Sequence, residues 1–344
     1  PKPSSAASDV YKRQIINSVN SGSSAGLQQQ ILTIRESYPA LQFGTFLTNH
    51  DMDRVYNKLG YNNEKMKLAA SIYLTMPGIP FIYYGEELGM VGTGSHENIR
   101  RPMQWSSSTN SGFTNSIPWK SIGNNYLTNN VEIMSNNNHS LMNHYKKLIK
   151  IRNEQSALRR GNILILENES EELLSFIRTF RNKAVLFNCN LSLNLLNPTI
   201  SLSKSSIPKG NYYLYDLYNN NDLGTLAINS EGGFESYDLF PNGLGALESS
   251  IILLSKNSIT NTLQENEIII SPNPTSNSFT IFLEGEPFQK ALVTIFSSKG
   301  KLIFEREMKE ELFTINTKNW AKGIYIIVFS SNTPVSYTHL RAHE

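Results

Sequence analysis

The sequence has little of what would indicate a disulfide scaffold, a membrane protein or a highly charged partner. Its 344 residues include one cysteine, Cys189, which excludes an intramolecular disulfide. The 31 basic and 29 acidic residues give a net charge of +2, which offers no electrostatic argument for binding nucleic acid or an anionic membrane. No apolar run reaches the roughly 20 residues that a membrane-spanning helix needs. The sequence therefore predicts no nucleic-acid partner and no transmembrane segment, and its length is typical of two or three domains.

The most informative segment is an apolar run that ends in three polar residues. Residues 41–47 are mostly apolar, and Asn49, His50 and Asp51 follow almost at once. This pattern is typical of a buried strand that delivers polar side chains to one end of a sheet. In (β/α) barrels, the C-terminal ends of the strands carry the catalytic residues. Position and residue type thus both indicate chemistry at this point of the chain.

The residues that follow predict a helix and a second strand. The asparagines at 62–63 are suitable caps for a helix that begins near Glu64. Apolar residues then recur at helical spacing until Pro77-Gly78, where the helix should stop. Residues 80–84 have the length and composition of a strand, and Glu86-Glu87 follow it. Since a helical crossover joins parallel strands, both polar tips should emerge on the same face of the sheet.

These segments, together with others downstream, resemble the α-amylase family, glycoside hydrolase family 13. The segments that carry the resemblance are Phe46–Asp51 with Arg54, Tyr83–Met90, Arg100–Trp105, Ser111–Thr114, Pro118–Trp119, Asn130–Glu132, Ser140–Leu141 and Tyr145–Ile149 with Arg152. They occur in order, and they are similar to the α-glucosidase and oligo-1,6-glucosidase branch over about residues 25–160. The resemblance implies that residues 15–160 form the C-terminal part of a catalytic (β/α)8 barrel.

The resemblance also implies roles for individual residues. A retaining glycosidase uses a carboxylate nucleophile and a carboxylic general acid around an oxocarbenium-like transition state. Asp51 is then the transition-state stabiliser. The implied substrate-binding residues are Asn49, His50, Arg54 and Arg100. The implied substrates are α-glucans or α-gluco-oligosaccharides with α-1,4 or α-1,6 bonds.

Each of these residues also has a purely structural interpretation. Asp51 and His50 are able to cap the turn that follows them. Arg54 has acidic neighbours with which it would form a surface ion pair. Glu86 and Glu87 are more typical of hydrogen-bonding structure at a strand tip than of catalytic acids.

The nucleophile and general acid of the family are not recognisable in this sequence. They belong to strands upstream of Asp51, and about fifty residues precede Asp51 here. Those residues predict one helix, with Leu27, Ile31 and Ile34 on one stripe, behind a polar stretch. We therefore expect a truncated enzyme that is inactive alone and needs no cofactor or metal. Family members often hold calcium, and the resemblance extends that expectation to the full-length parent.

The two ends of the chain do not continue the patterns beside them. Residues 4–14 and 335–344 resemble translated sequencing adapter. We expect 1–14 and 334–344 to be non-native segments, and the fold predictions exclude them.

Beyond Asn162 the apolar pattern changes to short β-type runs separated by turn residues. About seven such runs up to residue 256 predict a β-sandwich, which agrees with the all-β domain that follows the barrel in the family. We expect it to pack against the barrel segment. Several of its tyrosines cluster, and they are interpreted as strand residues before any sugar-binding role.

Residues 257–265 are predicted as a polar linker, and residues 266–333 as a small β-sandwich. Ser271–Pro274, the Lys299–Lys301 turn and the Gly323–Tyr325 strand resemble the C-terminal sorting domain of the type IX secretion system. The resemblance implies export across an outer membrane by that machinery, with a secreted or cell-surface location. The alternative is a generic immunoglobulin-like repeat.

The predicted fold class is thus α/β plus all-β. Two function classes remain open: an exported α-glucan hydrolase, and a non-catalytic amylase-like protein that binds carbohydrate or a partner. A transglycosylating relative is a further option within the enzyme class. Linkage preference and oligomeric state are not encoded in any motif described above.

Overall fold

The computed structural model describes residues 3–38, 42–258, 267–272, 275–284, 291–308, 312–330 and 336–342. These residues fall into two units, 1–258 and 259–344. Most of the predicted linker 257–265 lies outside the described residues. No helix among the described residues is both long and apolar enough to cross a membrane.

The first half of unit 1 is helical around a small parallel sheet. Its helices are α1 (Pro3–Ser21), α2 (Ala25–Ser37), α3 (Val55–Lys58), α4 (Asn63–Thr75), α5 (His96–Ile99), α6 (Val131–Ser135), α7 (Leu141–Glu154) and α8 (Ser156–Arg160), with a 3₁₀ turn at Thr109–Gly112. Its strands are β1 (Gly44–Thr45) and β2 (Ile79–Pro80).

The predicted parallel pairing of the two strands is confirmed, but both strands are much shorter than predicted. Gly44 pairs with Ile79 and Thr45 with Pro80. Past this register the chain leaves the sheet, and the side chain of Phe81 is 60 % exposed. A strand persists only where a neighbour accepts its backbone hydrogen bonds, and the described residues supply no third strand to this sheet.

Helix α4 has the start and the buried stripe that the sequence indicates. The Asn62 side chain accepts hydrogen bonds from the backbone N–H groups of Glu64 (2.9 Å) and Lys65 (3.0 Å), so the helix begins at Asn63. The turn after the helix requires glycine. Gly78 has φ +106°, and a Cβ there would lie 2.8 Å from the Phe43 ring.

Residues 3–14, which the fold predictions excluded as non-native, form part of a helix in the structure, and their non-native origin stays a prediction. Helix α1 runs from Pro3 to Ser21 without a break at 14. Tyr11, Ile15 and Val19 recur every four residues, so they form one buried stripe in the core. The Tyr11 ring stacks on Phe43 with centroids 5.8 Å apart. The prediction of one helix before the first strand was therefore incomplete.

The second half of unit 1 is all-β, as predicted. Its strands are β3 (Asn162–Ile165), β4 (Leu173–Phe180), β5 (Lys183–Asn190), β6 (Thr199–Leu202), β7 (Gly210–Asp216), β8 (Asn221–Ile228), β9 (Phe234–Asp238) and β10 (Ser249–Ser255). Six of them form an antiparallel sheet in the order β3-β4-β5-β10-β7-β8, and β6 pairs with β9 in a second sheet.

The large sheet uses both of its faces. Leu174 and Phe176 join the core that contains α1, α4 and α7, whereas Leu173 and Ile177 join a second core with β6 and β9. Alternate residues of one strand therefore serve two cores. The expected packing of the all-β domain against the barrel segment is present.

Unit 2 is a small sandwich of two antiparallel sheets. Its strands are β11 (Glu267–Ser271), β12 (Ser278–Glu284), β13 (Ala291–Ser297), β14 (Leu302–Met308), β15 (Leu312–Asn316), β16 (Gly323–Ser330) and β17 (Ser336–Ala342). The sheets have the orders β11-β12-β15 and β14-β13-β16-β17. Strand β17 lies within residues 334–344, which the fold predictions excluded. Its backbone pairs with β16, because an edge strand accepts almost any sequence that can extend.

Candidate functional site

The turn after β1 presents Asp51 to solvent. The Asn49 side chain accepts a hydrogen bond from the Asp51 backbone N–H at 2.9 Å, which fixes the turn locally. The side chain of Asp51 is 54 % exposed, and His50 Nε2 lies 3.1 Å from Asp51 Oδ2. The turn is therefore held by the Asn49 side chain, while the Asp51 carboxylate is left at the surface.

A second segment completes the site from the loop after β2. Arg100 Nη2 lies 3.0 Å from Asp51 Oδ1, and Arg100 Nε donates to the His50 carbonyl at 3.1 Å. His96 Nδ1 lies 3.6 Å from the same Asp51 oxygen. We call His50, Asp51, His96 and Arg100 the rim cluster. His96 was missed from the sequence, although its spacing of four residues from Arg100 places both on one side of α5.

Arg54 does not join the rim cluster. It is buried, and its Nε donates to the Ile99 carbonyl (2.9 Å) while Nη1 donates to the Tyr84 carbonyl (2.7 Å). Its guanidinium carbon lies 4.7 Å from the Tyr83 ring centroid and 4.8 Å from that of Tyr84. Burial lowers the pKa of Arg54, and the two tyrosines oppose that shift. Arg54 thus ties together the two loops that carry the rim cluster, and direct contact with substrate stays a prediction.

The alternative of a surface ion pair for Arg54 is wrong. The neighbouring Asp53 carboxylate pairs with Lys58 Nζ at 2.7 Å and accepts from the Gly94 N–H at 2.9 Å. The hydrogen bond from Lys58 and that from the Gly94 backbone lower the pKa of Asp53. Asp53 therefore anchors the loop 92–94, and Arg54 bonds to backbone carbonyls instead of to Asp53.

The second polar tip, Glu86-Glu87, is structural. Glu86 is buried and accepts a hydrogen bond from the Tyr145 hydroxyl at 2.9 Å. Burial raises the pKa of Glu86 to about 8, and the Tyr145 bond only partly offsets this. Glu86 is then largely protonated at neutral pH. Burial also raises the pKa of Glu87. The interpretation of these residues as strand-tip structure agrees with their position.

Two further arginines hold the base of this region. Arg152 donates to the carbonyls of Leu74 (2.6 Å), Met76 (3.0 Å) and Gly78 (2.7 Å). Arg178 donates to the carbonyls of Thr75, Gly161 (2.8 Å) and Asn162 (3.3 Å). Burial lowers the pKa of Arg152 to about 10 and that of Arg178 to about 9.

These contacts satisfy the carbonyls that the C-terminal turn of α4 cannot bond internally. Arg178 was missed from the sequence. The feature that could have indicated its structural role is a single charged residue in the largely apolar strand β4.

His144 is a further polar residue that holds this region together. It is buried on α7, with ring nitrogens 2.7 Å from the Tyr218 hydroxyl, 3.0 Å from the Lys67 carbonyl and 3.1 Å from Ser71 Oγ. Burial lowers its pKa to about 4. His144 is therefore neutral and serves to join α4, α7 and the all-β half.

No grouping of three or more His, Cys, Asp or Glu side chains suited to a metal ion occurs among the described residues. The rim cluster has one carboxylate and three cationic or potentially cationic partners, which suits charge-assisted hydrogen bonding to hydroxyl groups better than metal coordination. The calcium expected of the full-length parent stays a prediction.

Comparison with protein families identifies two regions. Residues 10–161 match the model for the α-amylase catalytic domain, and residues 269–340 match that for the secretion system C-terminal sorting domain. The first match begins fifteen residues before the resemblance stated above, in agreement with the observed α1.

Several curated enzymes are similar to the first region. Alpha-amylase 3 of Dictyoglomus thermophilum is 35 % identical over 147 residues, which are 43 % of this chain and 30 % of that protein. Alpha-amylase SusG of Bacteroides thetaiotaomicron is 36 % identical over 162 residues, 45 % of this chain and 23 % of that protein. An oligo-1,6-glucosidase of Halalkalibacterium halodurans is 28 % identical over 185 residues, 42 % and 33 % of the two chains. The chain thus spans a third or less of these relatives.

Solved structures show the same fold. The α-amylase from H. orenii superposes with a TM-score of 0.56 at 29 % identity, over 72 % of this chain and 48 % of that one. An isomaltulose synthase from Erwinia rhapontici superposes with a TM-score of 0.52 at 23 % identity, over 68 % and 46 % of the two chains.

Proposed function

We propose that the complete protein is an exported retaining glycoside hydrolase acting on α-glucans, because residues 10–161 belong to the α-amylase catalytic-domain family and residues 269–340 to the sorting-domain family. The observation that carries the proposal is the rim cluster. It presents one solvent-accessible carboxylate, Asp51, between a guanidinium and two imidazoles.

In the proposed mechanism, Asp51 stabilises the transition state. Its exposed carboxylate accepts hydrogen bonds from hydroxyls of the donor sugar, and these tighten as the ring distorts toward an oxocarbenium ion. Arg100 contacts both Asp51 Oδ1 and the His50 carbonyl, so it fixes the carboxylate and the adjacent backbone together. In the same mechanism, His50 donates a hydrogen bond to a hydroxyl of the same sugar.

We propose that the nucleophile and general acid are supplied by strands upstream of this chain. Before Asp51, the described residues contain α1, α2 and the two-residue strand β1, with no earlier strand to carry a carboxylate at its tip. The exposed Phe81 beside β2 supports the proposal, since it is where further barrel strands would pack. The chain alone should then be inactive.

The decisive variant is Asp51→Asn in the complete enzyme. The amide keeps the shape of the side chain and removes the negative charge, so kcat should fall by about 100-fold to 1,000-fold. The matched control is Glu169→Gln, which neutralises an exposed carboxylate in the all-β half. Steady-state hydrolysis of maltohexaose measures both. A kcat for Asp51→Asn close to that of the control would contradict the assignment.

The present chain offers a second test. Purified, it should show no turnover of starch or p-nitrophenyl α-glucoside, because two of the three catalytic carboxylates are missing. Turnover that disappears with Asp51→Asn would show that the chain contains its own nucleophile.

We further propose that unit 2 directs export through type IX machinery to the cell surface or medium. Its match to the sorting-domain family supports this. Deleting residues 266–344 from the complete protein, in a host with that machinery, should leave the enzyme in the periplasm. Unchanged release into the medium would contradict the proposal.

A further inference from the structure

A second cleft lies beside the rim cluster and shares no residue with it. It has a volume of about 790 Å³ and is lined by α3, the segment 91–101 and the segment 121–129. Sites for small ligands commonly have volumes of about 300–1,000 Å³. The size therefore admits a ligand of several sugar units in an open groove.

The lining of this cleft is rich in amides and poor in charge. Asn57, Asn98, Asn124, Asn125 and Asn129 all line it, and none of the described lining residues is Asp or Glu. An amide both donates and accepts hydrogen bonds, as a sugar hydroxyl does. The single cation in the lining, Arg101, offers donors only. This chemistry suits a neutral, polyhydroxylated ligand.

Two lining residues hold polar atoms that are buried and unsatisfied within the described structure. Arg101 Nη1 donates to the Ser121 carbonyl and hydroxyl, both at 2.7 Å, and Nη2 to Asn98 Oδ1 at 3.0 Å, yet its Nε has no partner. Asn125 Nδ2 donates to the Gly89 carbonyl at 2.9 Å, while its Oδ1 has no partner. A buried donor or acceptor left without a partner is costly, and a ligand hydroxyl that bonds to either atom would remove that cost.

Tyr61 provides the aromatic wall. Its side chain is 59 % exposed, and the residue has φ 60°, a backbone conformation that is strained for tyrosine. The Asn57 amide donates to its hydroxyl at 2.9 Å, and its ring meets Tyr56 edge-on with centroids 5.9 Å apart. The ring is thus held in place with much of its surface open to solvent, as a stacking platform for the C–H face of a sugar requires.

We propose that this cleft is a second, non-catalytic oligosaccharide site that binds a segment of α-glucan. The choice of glucan as ligand rests on the proposed function, whereas the cleft itself does not involve Asp51. Its role is to hold the polymer on the outer side of the barrel segment while another part of the chain reaches the rim cluster. All of its lining residues lie between positions 56 and 129, so the present chain is sufficient to test it.

The experiment measures binding of maltohexaose to the full 344-residue chain by isothermal titration calorimetry. Tyr61→Ala removes the platform and should weaken binding by at least about fivefold, in line with the contribution of an aromatic contact. Asn124→Ala, at an exposed lining residue, should weaken it less. The matched control is Tyr213→Ala, which removes a partly exposed tyrosine from β7 outside the cleft and should leave the dissociation constant within twofold. Circular dichroism checks that each variant is folded.

The outcomes separate this proposal from the proposed function. A larger loss with Asp51→Asn than with Tyr61→Ala would place the glucan at the rim cluster and overturn the second site while leaving the catalytic proposal intact. An effect of Tyr213→Ala equal to that of Tyr61→Ala would move the site to the all-β half. Binding of inorganic phosphate without binding of maltohexaose would overturn the assignment of a neutral ligand. If Tyr61→Ala abolishes binding and Asp51→Asn does not, the second site stands whatever the activity of the complete enzyme proves to be.

Discussion

Arginine is exposed in the rim cluster and buried in the layer beneath it, and its contacts differ between the two. At the rim, Arg100 meets Asp51 in water, where an ion pair contributes little to stability and both groups remain open to a ligand. Below it, Arg54, Arg152 and Arg178 are buried, and their described hydrogen bonds go to backbone carbonyls. The exposed charged groups thus remain open to a ligand, and the buried charged groups hold the loops that carry them.

This difference predicts where the molecule tolerates change. A buried guanidinium satisfies several carbonyls at once, so losing it leaves several polar groups buried and unpaired. An exposed guanidinium that is lost is replaced by water. We therefore expect large effects on stability from the buried arginines and small ones from the rim.

The largest effect should come from Arg178→Met. The change leaves the carbonyls of Thr75 and Gly161 without their donor, and the free energy of unfolding of unit 1 should fall by about 3 kcal/mol. Arg159→Met, at an exposed arginine of α8, is the matched control and should change it by less than about 0.5 kcal/mol. Urea unfolding followed by tryptophan fluorescence measures both. Equal midpoints would refute a structural role for the buried guanidinium.

An intermediate effect is expected for Arg54→Lys. Lysine keeps the charge but cannot donate to the Ile99 and Tyr84 carbonyls with one planar group, and it loses the stacking on two tyrosines. We expect a loss of about 2 kcal/mol in the same unfolding measurement. Arg100→Lys tests the comparison directly, since this substitution should lower the free energy of unfolding by less than about 0.5 kcal/mol. If the two variants were equally stable, the distinction between rim and base would fail.

An effect of a different kind, measured as a slope against pH, is the pH dependence due to Glu86. Its pKa is about 8 in the folded protein against an ordinary value of 4.5, so the folded state keeps a proton that the unfolded state releases. Its stabilising contribution is therefore complete below about pH 4.5 and is lost as the pH rises toward 8, with a slope of at most about 1.4 kcal/mol per pH unit.

Glu86→Gln should remove that slope. The variant keeps an acceptor for the Tyr145 hydroxyl and does not titrate. Unfolding curves recorded between pH 5 and pH 8 should converge for the two proteins at the acidic end and diverge at the basic end, with the variant more stable at pH 8. Glu132→Gln, at an exposed carboxylate, should follow the parent protein. Parallel curves for Glu86→Gln and the parent would show that Glu86 ionises in the folded state.

Local sequence patterns were sufficient for several elements. The Asn62 cap and the glycine at 78 fixed the two ends of α4, and the crossover rule fixed the parallel pairing of β1 and β2. The rim residues Asp51 and Arg100 were found from their motifs, although they are 49 positions apart and meet only in the fold. The predictions of α4 and of the strand pairing succeeded because each depends on chemistry that short segments carry, while the roles of Asp51 and Arg100 stay predictions.

Other features had no local signal. The strand lengths of β1 and β2 depend on which neighbours supply hydrogen bonds, and the burial of His144 depends on Tyr218 from the all-β half. Residues up to 14 were excluded from the fold predictions because they resemble non-native sequence, yet Tyr11, Ile15 and Val19 form one buried apolar stripe on α1. Packing responds to the pattern of side chains and not to their origin.

By itself, the sequence determined helix α4 and the strands beside it, the all-β region, the two family regions and the identity of the exposed carboxylate, since these follow from spacing, capping and motif. The tertiary structure decided which charged groups lie in water and which are buried. It placed His96 beside Asp51, moved Arg54 beneath the loops and kept Glu86 protonated. The physical reason is that the cost of a charge depends on its surroundings, and those surroundings come from segments distant in the chain.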